Sequence, residues 1–210
     1  MITINEINQI AEKGVIGYVE IFSTLMIVLC ALIIFTSILI NFIESKSRKS
    51  VKKEKKSVVE TGTMFAFFII LYLVIRFGIL KIEIQSTSLK IILVIFGTLI
   101  IVLGTIFNVL GRLKLKQNWA NQIRIYKNQT LIKKGVYGIV RHPLYASLIW
   151  VFYGASLVYH NILALLLNSL IFIPFMYYRA KQEEKLLIER FKEYKEYINK
   201  VGMFFPKIKL

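Results

Sequence analysis

The chain contains 210 residues, of which 56% are hydrophobic and 19% are charged. Ordinary soluble domains carry about a quarter charged residues and about half apolar ones, so this composition argues against a soluble domain and favours a membrane protein. The formal net charge of +16 could indicate a nucleic-acid-binding protein, but the basic residues are concentrated in segments between and after apolar stretches. Insertion into a membrane explains that distribution without nucleic acid.

Three apolar stretches in the first half of the chain are long enough to cross a bilayer, since about 18 nearly uncharged residues suffice. They are residues 21–43, 62–80 and 91–110, and we predict that residues 1–110 form a three-span membrane region. Arg76 lies near the outer end of the second stretch. Its side chain either snorkels to the membrane interface or lines a substrate path.

Small residues in these stretches predict how the helices pack. Gly97, Gly104 and Gly111 recur every seven residues and therefore lie on one face of the third helix. Because small residues let membrane helices approach closely, we expect this face to pack against a neighbouring helix. Cys30, the single cysteine, lies within the first stretch, where we expect a small packing residue and no disulfide.

A fourth apolar region, residues 144–178, is too long for one span. It is interrupted at Tyr159, His160 and Asn161, so we predict two short helices in a tight hairpin. The fold class is therefore an all-α integral membrane protein with five transmembrane helices, of which the last two form a helical hairpin.

Basic residues predict the orientation of these spans. Seven lie in residues 44–57, eight in residues 111–143 without any acidic residue, and nine in residues 179–210. With five spans, all three segments fall on one side, and the positive-inside rule places that side in the cytoplasm. We expect a multi-pass protein of the cytoplasmic membrane with the N-terminus outside and the C-terminus inside. Its basic segments would also be attracted to anionic lipids of the bilayer.

The connecting segment 111–143 is polar as well as basic and has little apolar surface to bury. Long segments of this kind are typically functional or disordered. Its uncharged hydrogen-bonding side chains suit a polar small molecule better than lipid. These side chains are Gln117, Asn118, Asn121, Gln122, Asn128 and Gln129.

The tail that begins at Arg179 has helical periodicity, with spacings of four and three residues along one face. We predict a C-terminal amphipathic helix. Arg179 and Glu183 begin its otherwise apolar face, where they form either a simple ion pair or groups directed toward a site beneath the hairpin. The face consists of Arg179, Glu183, Leu187, Phe191, Tyr194, Ile198 and Val201.

The sequence offers few other sources of chemistry. Its two histidines, His142 and His160, are separated by a predicted span, and the chain has no aspartate, so we expect no metal site. What remains is the polar segment, the Arg-His-Pro-x-Tyr turn that begins at Arg141, and the group Arg179, Glu183 and Glu184. A hairpin would bring all three to the cytoplasmic interface.

Two motifs in these regions carry a family resemblance. The run GVYGIVRHPLY, residues 135–145, is followed after the hairpin by RAKQEEKLLIERFKEYKEYINKVGMFFP, residues 179–206. The pattern resembles the isoprenylcysteine carboxyl methyltransferase family, which is related to phospholipid and other integral-membrane methyltransferases. The resemblance extends over about residues 111–206. It implies that residues 111–210 form a cofactor-binding and catalytic region, continuous with residues 1–110 in one domain.

The resemblance implies S-adenosyl-L-methionine as the cofactor, bound at the cytoplasmic end of the hairpin. Arg179 matches the arginine that meets the acceptor in the family. The positions that match cofactor contacts are Gln122, Gln129, Thr130, Leu131, Ile132, Tyr137, His142, Pro143, Leu144, Tyr145, Glu183 and Glu184.

Three positions depart from the family pattern. Gln129 replaces a common histidine, Val136 a common proline, and Ser147 a common glycine. The first departure concerns one cofactor contact, and the other two concern the subfamily to which the chain is assigned.

The function implied is methyl transfer to a lipophilic small-molecule acceptor, with an isoprenylcysteine-type carboxylate favoured. Arg179 could orient a carboxylate bidentately, and a carboxylate acceptor needs no general base. Methylation of a phenol, a polyketide-like lipid or a thiol within the membrane is the alternative. A non-catalytic membrane scaffold or small transporter, without affinity for the cofactor, is the alternative of another class.

Overall fold

The computed structural model describes residues 14–46, 51–55, 58–115, 123–126 and 130–207. Two short strands, β1 (Val51–Lys55) and β2 (Ile123–Tyr126), pair antiparallel. A 3₁₀ turn spans Gly135–Gly138, and a π turn spans Asn168–Phe172. The helices are α1 (Val15–Lys46), α2 (Val58–Arg76), α3 (Thr87–Leu115), α4 (Pro143–Val158), α5 (Ile162–Leu167), α6 (Ile173–Arg190) and α7 (Tyr194–Lys200).

The described residues are predominantly helical, as the hydropathy pattern predicts. The strand pair was not predicted: β1 lies within the basic segment 44–57 and β2 within the connecting segment 111–143. The pairing joins two segments that are far apart in the sequence. β1 contains no apolar alternation, and the alternation in β2 is limited to Ile123, Arg124 and Ile125, which is too short to predict a strand.

All five predicted apolar segments form helices. In the described part of the chain, three helices are long and apolar enough to cross a membrane: Val15–Asn41, Thr87–Leu115 and Ile162–Arg190. Gly62–Arg76 and Pro143–Val158 are apolar but shorter. Large apolar side chains along these helices are exposed, which is the surface expected of a protein surrounded by lipid.

The second helix is shorter than the apolar run that predicts it, because α2 ends at Arg76 rather than at residue 80. Gly78 has a left-handed backbone with φ of 62°, and its amide donates to the carbonyl of Ile75. The amide of Ile79 donates to the carbonyl of Val74. This is a Schellman motif, which terminates a helix whatever the polarity of the following residues. Arg76 lies exposed at the helix end.

The predicted hairpin is confirmed. A turn at residues 159–161 separates α4 from a continuous helix, Ile162–Arg190. The two helices pack together: the Phe152 and Phe172 rings lie 4.8 Å apart, and Asn168 donates to the carbonyl of Ile149 at 3.1 Å. The π turn ends two residues before Pro174. The backbone nitrogen of proline has no hydrogen to donate, and its ring would clash with a regular helical turn.

The glycine face of α3 is in contact with α4, as predicted. An added Cβ at Gly97 would lie 2.7 Å from the carbonyl oxygen of Gly154, and one at Gly104 would lie 2.8 Å from the side chain of Val151. Such distances leave no room for a larger residue, so the glycines set how closely the two helices approach. Cys30 is buried in a neighbouring apolar cluster, in which α1 packs against α3.

The tail differs from its prediction of one amphipathic helix from Arg179 to Val201. The helix that carries Arg179 is the continuation of the hairpin and ends at Arg190. Phe191 is extended, with φ of −119° and ψ of 106°, and a separate helix, α7, follows. The spacing of apolar residues predicts a face but not the position of a turn. The turn lets α7 pack beneath the 3₁₀ turn, where the Tyr197 hydroxyl donates to the backbone carbonyl of Tyr137.

Candidate functional site

The site is built around the turn that begins α4. His142 is the residue that precedes the helix, and Pro143 occupies its first turn, where a missing backbone N–H has no cost. Residues 201–204, here called the C-terminal strap, lie alongside this turn. The amide of Arg141 donates to the carbonyl of Gly202 at 2.8 Å, and the amide of His142 donates to the carbonyl of Met203 at 3.1 Å. The strap therefore holds the backbone of the turn in place.

The His142 ring lies between two carboxylates of α6. Its Nδ1 is 3.4 Å from Oε2 of Glu183, and its Nε2 is 3.3 Å from Oε1 of Glu184. The ring is parallel to that of Tyr145 at 5.7 Å, and Phe204 of the strap contacts it edge-on at 6.3 Å. Burial lowers the pKa of His142, but the contacts with the two glutamates outweigh burial and raise its pKa above the ordinary value. The arrangement therefore favours a charged imidazolium.

The two glutamates differ in environment although they are adjacent in sequence. The Glu184 side chain is 3% exposed and accepts a hydrogen bond from Nε of Arg141 at 2.8 Å, while the Glu183 side chain is 29% exposed. Glu183 accepts a hydrogen bond from the Tyr145 hydroxyl. Both lie beside His142, and the Glu183 side chain is the more exposed of the two.

Arg179 lies one helical turn before the glutamates and is 5% exposed. Its Nε donates to the Tyr145 hydroxyl at 3.3 Å, and its guanidinium carbon is 5.9 Å from the centre of the Tyr145 ring. One terminal nitrogen lies 3.3 Å from the sulfur of Met64 in α2. The sequence did not assign Met64 to the site, because a methionine within an apolar run is typical of any membrane helix.

Arg141 is the residue of the turn that was not assigned a role from sequence. Its guanidinium donates to Glu184 and to the carbonyls of Ile198 and Val201, so it connects α6, the end of α7 and the strap. Its position in the Arg-His-Pro motif is the sequence feature that indicates a role for Arg141, but its hydrogen-bond partners lie 43 to 60 residues away along the chain. No local pattern identifies them.

Tyr137 lies buried beneath this cluster. Its hydroxyl donates to the carbonyl of Gly111 at 3.4 Å, and its own carbonyl accepts the hydrogen bond from Tyr197. Burial raises the pKa of Tyr137, so its phenol stays neutral. Tyr137 therefore connects the end of α3 to α7 on the buried side of the site.

The departure at Ser147 has a partner of its own. The fully buried Ser147 hydroxyl accepts a hydrogen bond from Asn108 at 2.7 Å and donates to the carbonyl of Leu144 at 2.8 Å. The Asn108 side chain also accepts from Nε of Arg112 at 2.8 Å. Hydrogen bonds satisfy this hydroxyl at a position where the family commonly has glycine. Val136, a second departure, is buried.

The remaining predicted residues contribute less to the described cluster. Leu144 is half-buried, and its side chain lies close to Gly111, where an added Cβ would be 3.0 Å away. Thr130 is exposed, and Leu131 and Ile132 are half-buried in a segment without regular secondary structure. Gln122 and Gln129 lie outside the described residues. Within the described ranges, no group of three or more His, Cys, Asp or Glu side chains is arranged to hold a metal ion.

The fold and the cluster define a helical membrane protein with a buried ionic site at the end of a helical hairpin opposite its turn. Residues 93–189 match the model of the isoprenylcysteine carboxyl methyltransferase (ICMT) family, which confirms the family resemblance inferred from the two motifs. The matched region contains the Arg-His-Pro turn, the hairpin and the two glutamates.

Two curated relatives match the chain over part of their length. The chain is 33% identical over 132 residues to a protein-S-isoprenylcysteine O-methyltransferase of Saccharomyces cerevisiae, which is 61% of this chain and 55% of the relative. It is 29% identical over 84 residues to the cobalt-zinc-cadmium resistance protein CzcN of Cupriavidus metallidurans, which is 40% of this chain and 39% of the relative. The chain thus matches about half or less of each relative's length.

A solved structure shares the fold. The eukaryotic intramembrane Ras methyltransferase ICMT aligns with 73% of this chain and with 55% of its own length, at a TM-score of 0.53 and 22% sequence identity. At this identity the likeness extends to the arrangement of helices alone.

Proposed function

We propose that the protein is an S-adenosyl-L-methionine-dependent membrane methyltransferase that acts on a lipophilic acceptor, with carboxyl O-methylation of an isoprenylcysteine-type substrate as its reaction. The main support is the cluster of Arg179, Tyr145, His142 and Glu183, in which residues from both motifs of the family lie within contact distance. The family match over residues 93–189 supports the reaction class.

The residues present fit the cofactor. When bound, S-adenosyl-L-methionine supplies a methyl group on a sulfonium, and it also carries an ammonium, a carboxylate and ribose hydroxyls. The Glu183 side chain, which is partly exposed, suits the ammonium or a hydroxyl, and His142 and Tyr145 provide polar groups in a site bounded by apolar helices. The family resemblance also implies cofactor contacts for Gln122, Gln129, Thr130, Leu131, Ile132, Tyr137, Pro143, Leu144 and Glu184.

Arg179 is the residue that we assign to the acceptor. Its planar guanidinium can bind a carboxylate bidentately, and it lies where α2 approaches α6. The same helices carry an apolar cluster, in which the rings of Phe67, Phe152 and Phe172 pack against one another. Such an environment accommodates a lipophilic acceptor that enters laterally from the bilayer.

The environment of His142 favours a carboxylate over a hydroxyl acceptor. A phenol must lose its proton during methylation, and the two glutamates that raise the pKa of His142 disfavour the neutral imidazole that would accept this proton. A carboxylate is a nucleophile without any base. Catalysis then consists mainly of positioning the acceptor and placing charge around it. Methylation of a phenol, a polyketide-like lipid or a thiol remains the alternative within enzymes.

We infer five membrane spans, with the N-terminus outside and residues 44–57 and 111–143 in the cytoplasm, because the basic residues concentrate there. Residues 1–110 and 111–210 would then form one domain, which the packing of α3 against α4 supports. Cysteine labelling at Ser50 and Asn128, in a Cys30→Ala background, is expected to fail with impermeant reagents applied from outside. Labelling of either position from outside would overturn this topology.

The proposed function is tested by calorimetric titration of the detergent-solubilised chain with S-adenosyl-L-methionine. A methyltransferase should bind it, whereas a scaffold or transporter should show no binding by a folded sample. Transfer of a labelled methyl group to N-acetyl-farnesylcysteine and to lipid extracts then identifies the acceptor type. A methyl ester releases its label on mild alkaline hydrolysis, whereas an ether or thioether retains it, so the product separates carboxylate from phenol or thiol.

A further inference from the structure

We propose that Arg141 and Glu184 are positioning residues that fix the His142 ring and the C-terminal strap, whereas Glu183 keeps the cofactor contact already assigned to it. The inference rests on the proposed function for the role of Glu183. It reassigns Glu184, which the family pattern places among the cofactor contacts, to a role that acts through His142.

Arg141 holds three parts of the site together. Its Nε donates to Glu184 at 2.8 Å, and one terminal nitrogen donates to the carbonyls of Ile198, at 3.3 Å, and Val201. Its backbone amide donates to Gly202 at 2.8 Å. A guanidinium has five donors in a planar fork, so one buried side chain can bind a carboxylate and two carbonyls at once. Lysine cannot reproduce this set of contacts.

The oxygens of Glu184 are already in use. Oε1 lies 2.8 Å from Nε of Arg141 and 3.3 Å from Nε2 of His142, and Oε2 lies 3.5 Å from Nζ of Lys181. A cationic group of the cofactor that bound Oε2 would have to displace Lys181 and reach a side chain that is 3% exposed, and one that bound Oε1 would have to displace Arg141. That would leave a buried guanidinium without its carboxylate, which is strongly unfavourable.

Glu183 is in a different position. Its side chain is 29% exposed, compared with 3% for Glu184, and its contacts include the neutral Tyr145 phenol. A cation that replaces this phenol at Oε1 leaves no buried charge unpaired, because Oε2 stays beside His142, which also keeps its contact with Glu184. Glu183 therefore exchanges a protein partner for a ligand at much lower cost than Glu184 does.

The strap transmits the position of Arg141 to the His142 ring. Gly202 has no room for a side chain, since an added Cβ would lie 1.9 Å from the carbonyl oxygen of Phe205. The backbone of the strap is therefore closely packed at Gly202, and the buried Phe204 ring contacts His142. Because Arg141 binds the strap through both its backbone and its side chain, loss of its guanidinium should loosen one side of the His142 environment.

Two conservative substitutions separate positioning from direct binding. Glu184→Gln keeps an amide oxygen that can accept from Arg141, so we expect the dissociation constant for S-adenosyl-L-methionine to rise less than about threefold. Glu183→Gln removes a charge that faces the cofactor, and we expect a rise of roughly ten- to a hundredfold. Calorimetry of the full chain measures both. Equal losses for the two variants would refute the distinction.

The positioning role of Arg141 has a readout in the cofactor-free protein. In Arg141→Lys, hydrogen exchange of the amides at positions 141 and 142, which donate to the strap, should accelerate at least about tenfold. Glu196→Gln is the matched control, because it breaks an exposed pair with Lys200 at 2.5 Å on α7 and should leave this exchange unchanged. Unchanged exchange in Arg141→Lys, in a sample with wild-type secondary structure, would overturn the proposal. If the wild type fails to bind S-adenosyl-L-methionine, the proposed function fails, whereas the exchange result still decides whether Arg141 holds the strap.

Discussion

Replacement of Arg179 and of Glu183 should affect different steps, although both side chains begin the same helical face. Glu183→Ala should weaken binding of S-adenosyl-L-methionine. Arg179→Ala should leave that binding nearly intact and impair methyl transfer to the acceptor. A surface ion pair would behave differently, since removing either partner of an exposed pair has a small and similar effect.

The contacts of Arg179 determine the expected magnitude. Its hydrogen bonds to Tyr145 and to the sulfur of Met64, both at 3.3 Å, are made to uncharged groups, so their loss costs little more than ordinary hydrogen bonds. A charge-assisted contact with an acceptor carboxylate is worth about 1.5–3 kcal/mol, so kcat/KM for the acceptor should fall roughly ten- to a hundredfold in Arg179→Ala. The dissociation constant for the cofactor should increase by a similar factor in Glu183→Ala.

Calorimetry gives the cofactor affinity, and transfer of a labelled methyl group to N-acetyl-farnesylcysteine gives kcat/KM for the acceptor. Arg179→Lys serves as the conservative variant, and it should restore carboxylate methylation only in part, because lysine lacks the planar fork. Melting temperatures of all variants identify any that fail to fold. Small and equal effects on affinity and turnover would refute the assignment of separate roles to Arg179 and Glu183.

Three further changes test the packing and the electrostatics. Gly154→Ala should lower the free energy of unfolding in detergent by about 1–3 kcal/mol, because an added Cβ would lie 2.6 Å from the carbonyl oxygen of Gly97. Gly62→Ala is the control and should not lower it, since an added Cβ there has nothing within 4 Å, and equal effects would contradict the close approach of α3 and α4. Asn108→Ala should cost about 1–3 kcal/mol, since it leaves buried groups without their hydrogen bonds, and a change within about 0.5 kcal/mol would show that this network is dispensable. Because the pKa of His142 is raised in the folded cofactor-free chain, protonation of this side chain stabilises the folded state. The stabilisation is fully present below about pH 6.5 and is lost as pH rises through the pKa of the folded state. The melting temperature should therefore decline above that pH more steeply in the wild type than in His142→Asn, and identical slopes would rule out this contribution.

Much of the fold follows from local sequence. Hydropathy determines the positions of the apolar helices, and the polar residues at 159–161 determine the break between the hairpin helices. The contact of α3 with α4 depends on the glycine repeat that includes Gly97 and Gly104. The end of α2 shows where hydropathy misleads. The apolar run continues to residue 80, but Gly78 terminates the helix through its backbone conformation.

The site is only partly contained in the sequence. The two motifs bring forward His142, Tyr145, Arg179 and the glutamate pair, and the structure places these side chains in one cluster. The approach of Met64 to Arg179 comes from α2, which carries no motif, and depends on how α2 packs against the hairpin.

Tertiary structure alone separates Glu183 from Glu184. Adjacent residues on a helix point about 100° apart, so the sequence places the two carboxylates on different parts of the helix surface but does not say which part faces the protein. That is decided by Arg141, 43 residues earlier in the chain, and by the strap that follows α7. A buried guanidinium requires a carboxylate, and the fold places Glu184 beside it, leaving Glu183 at the open side of the site.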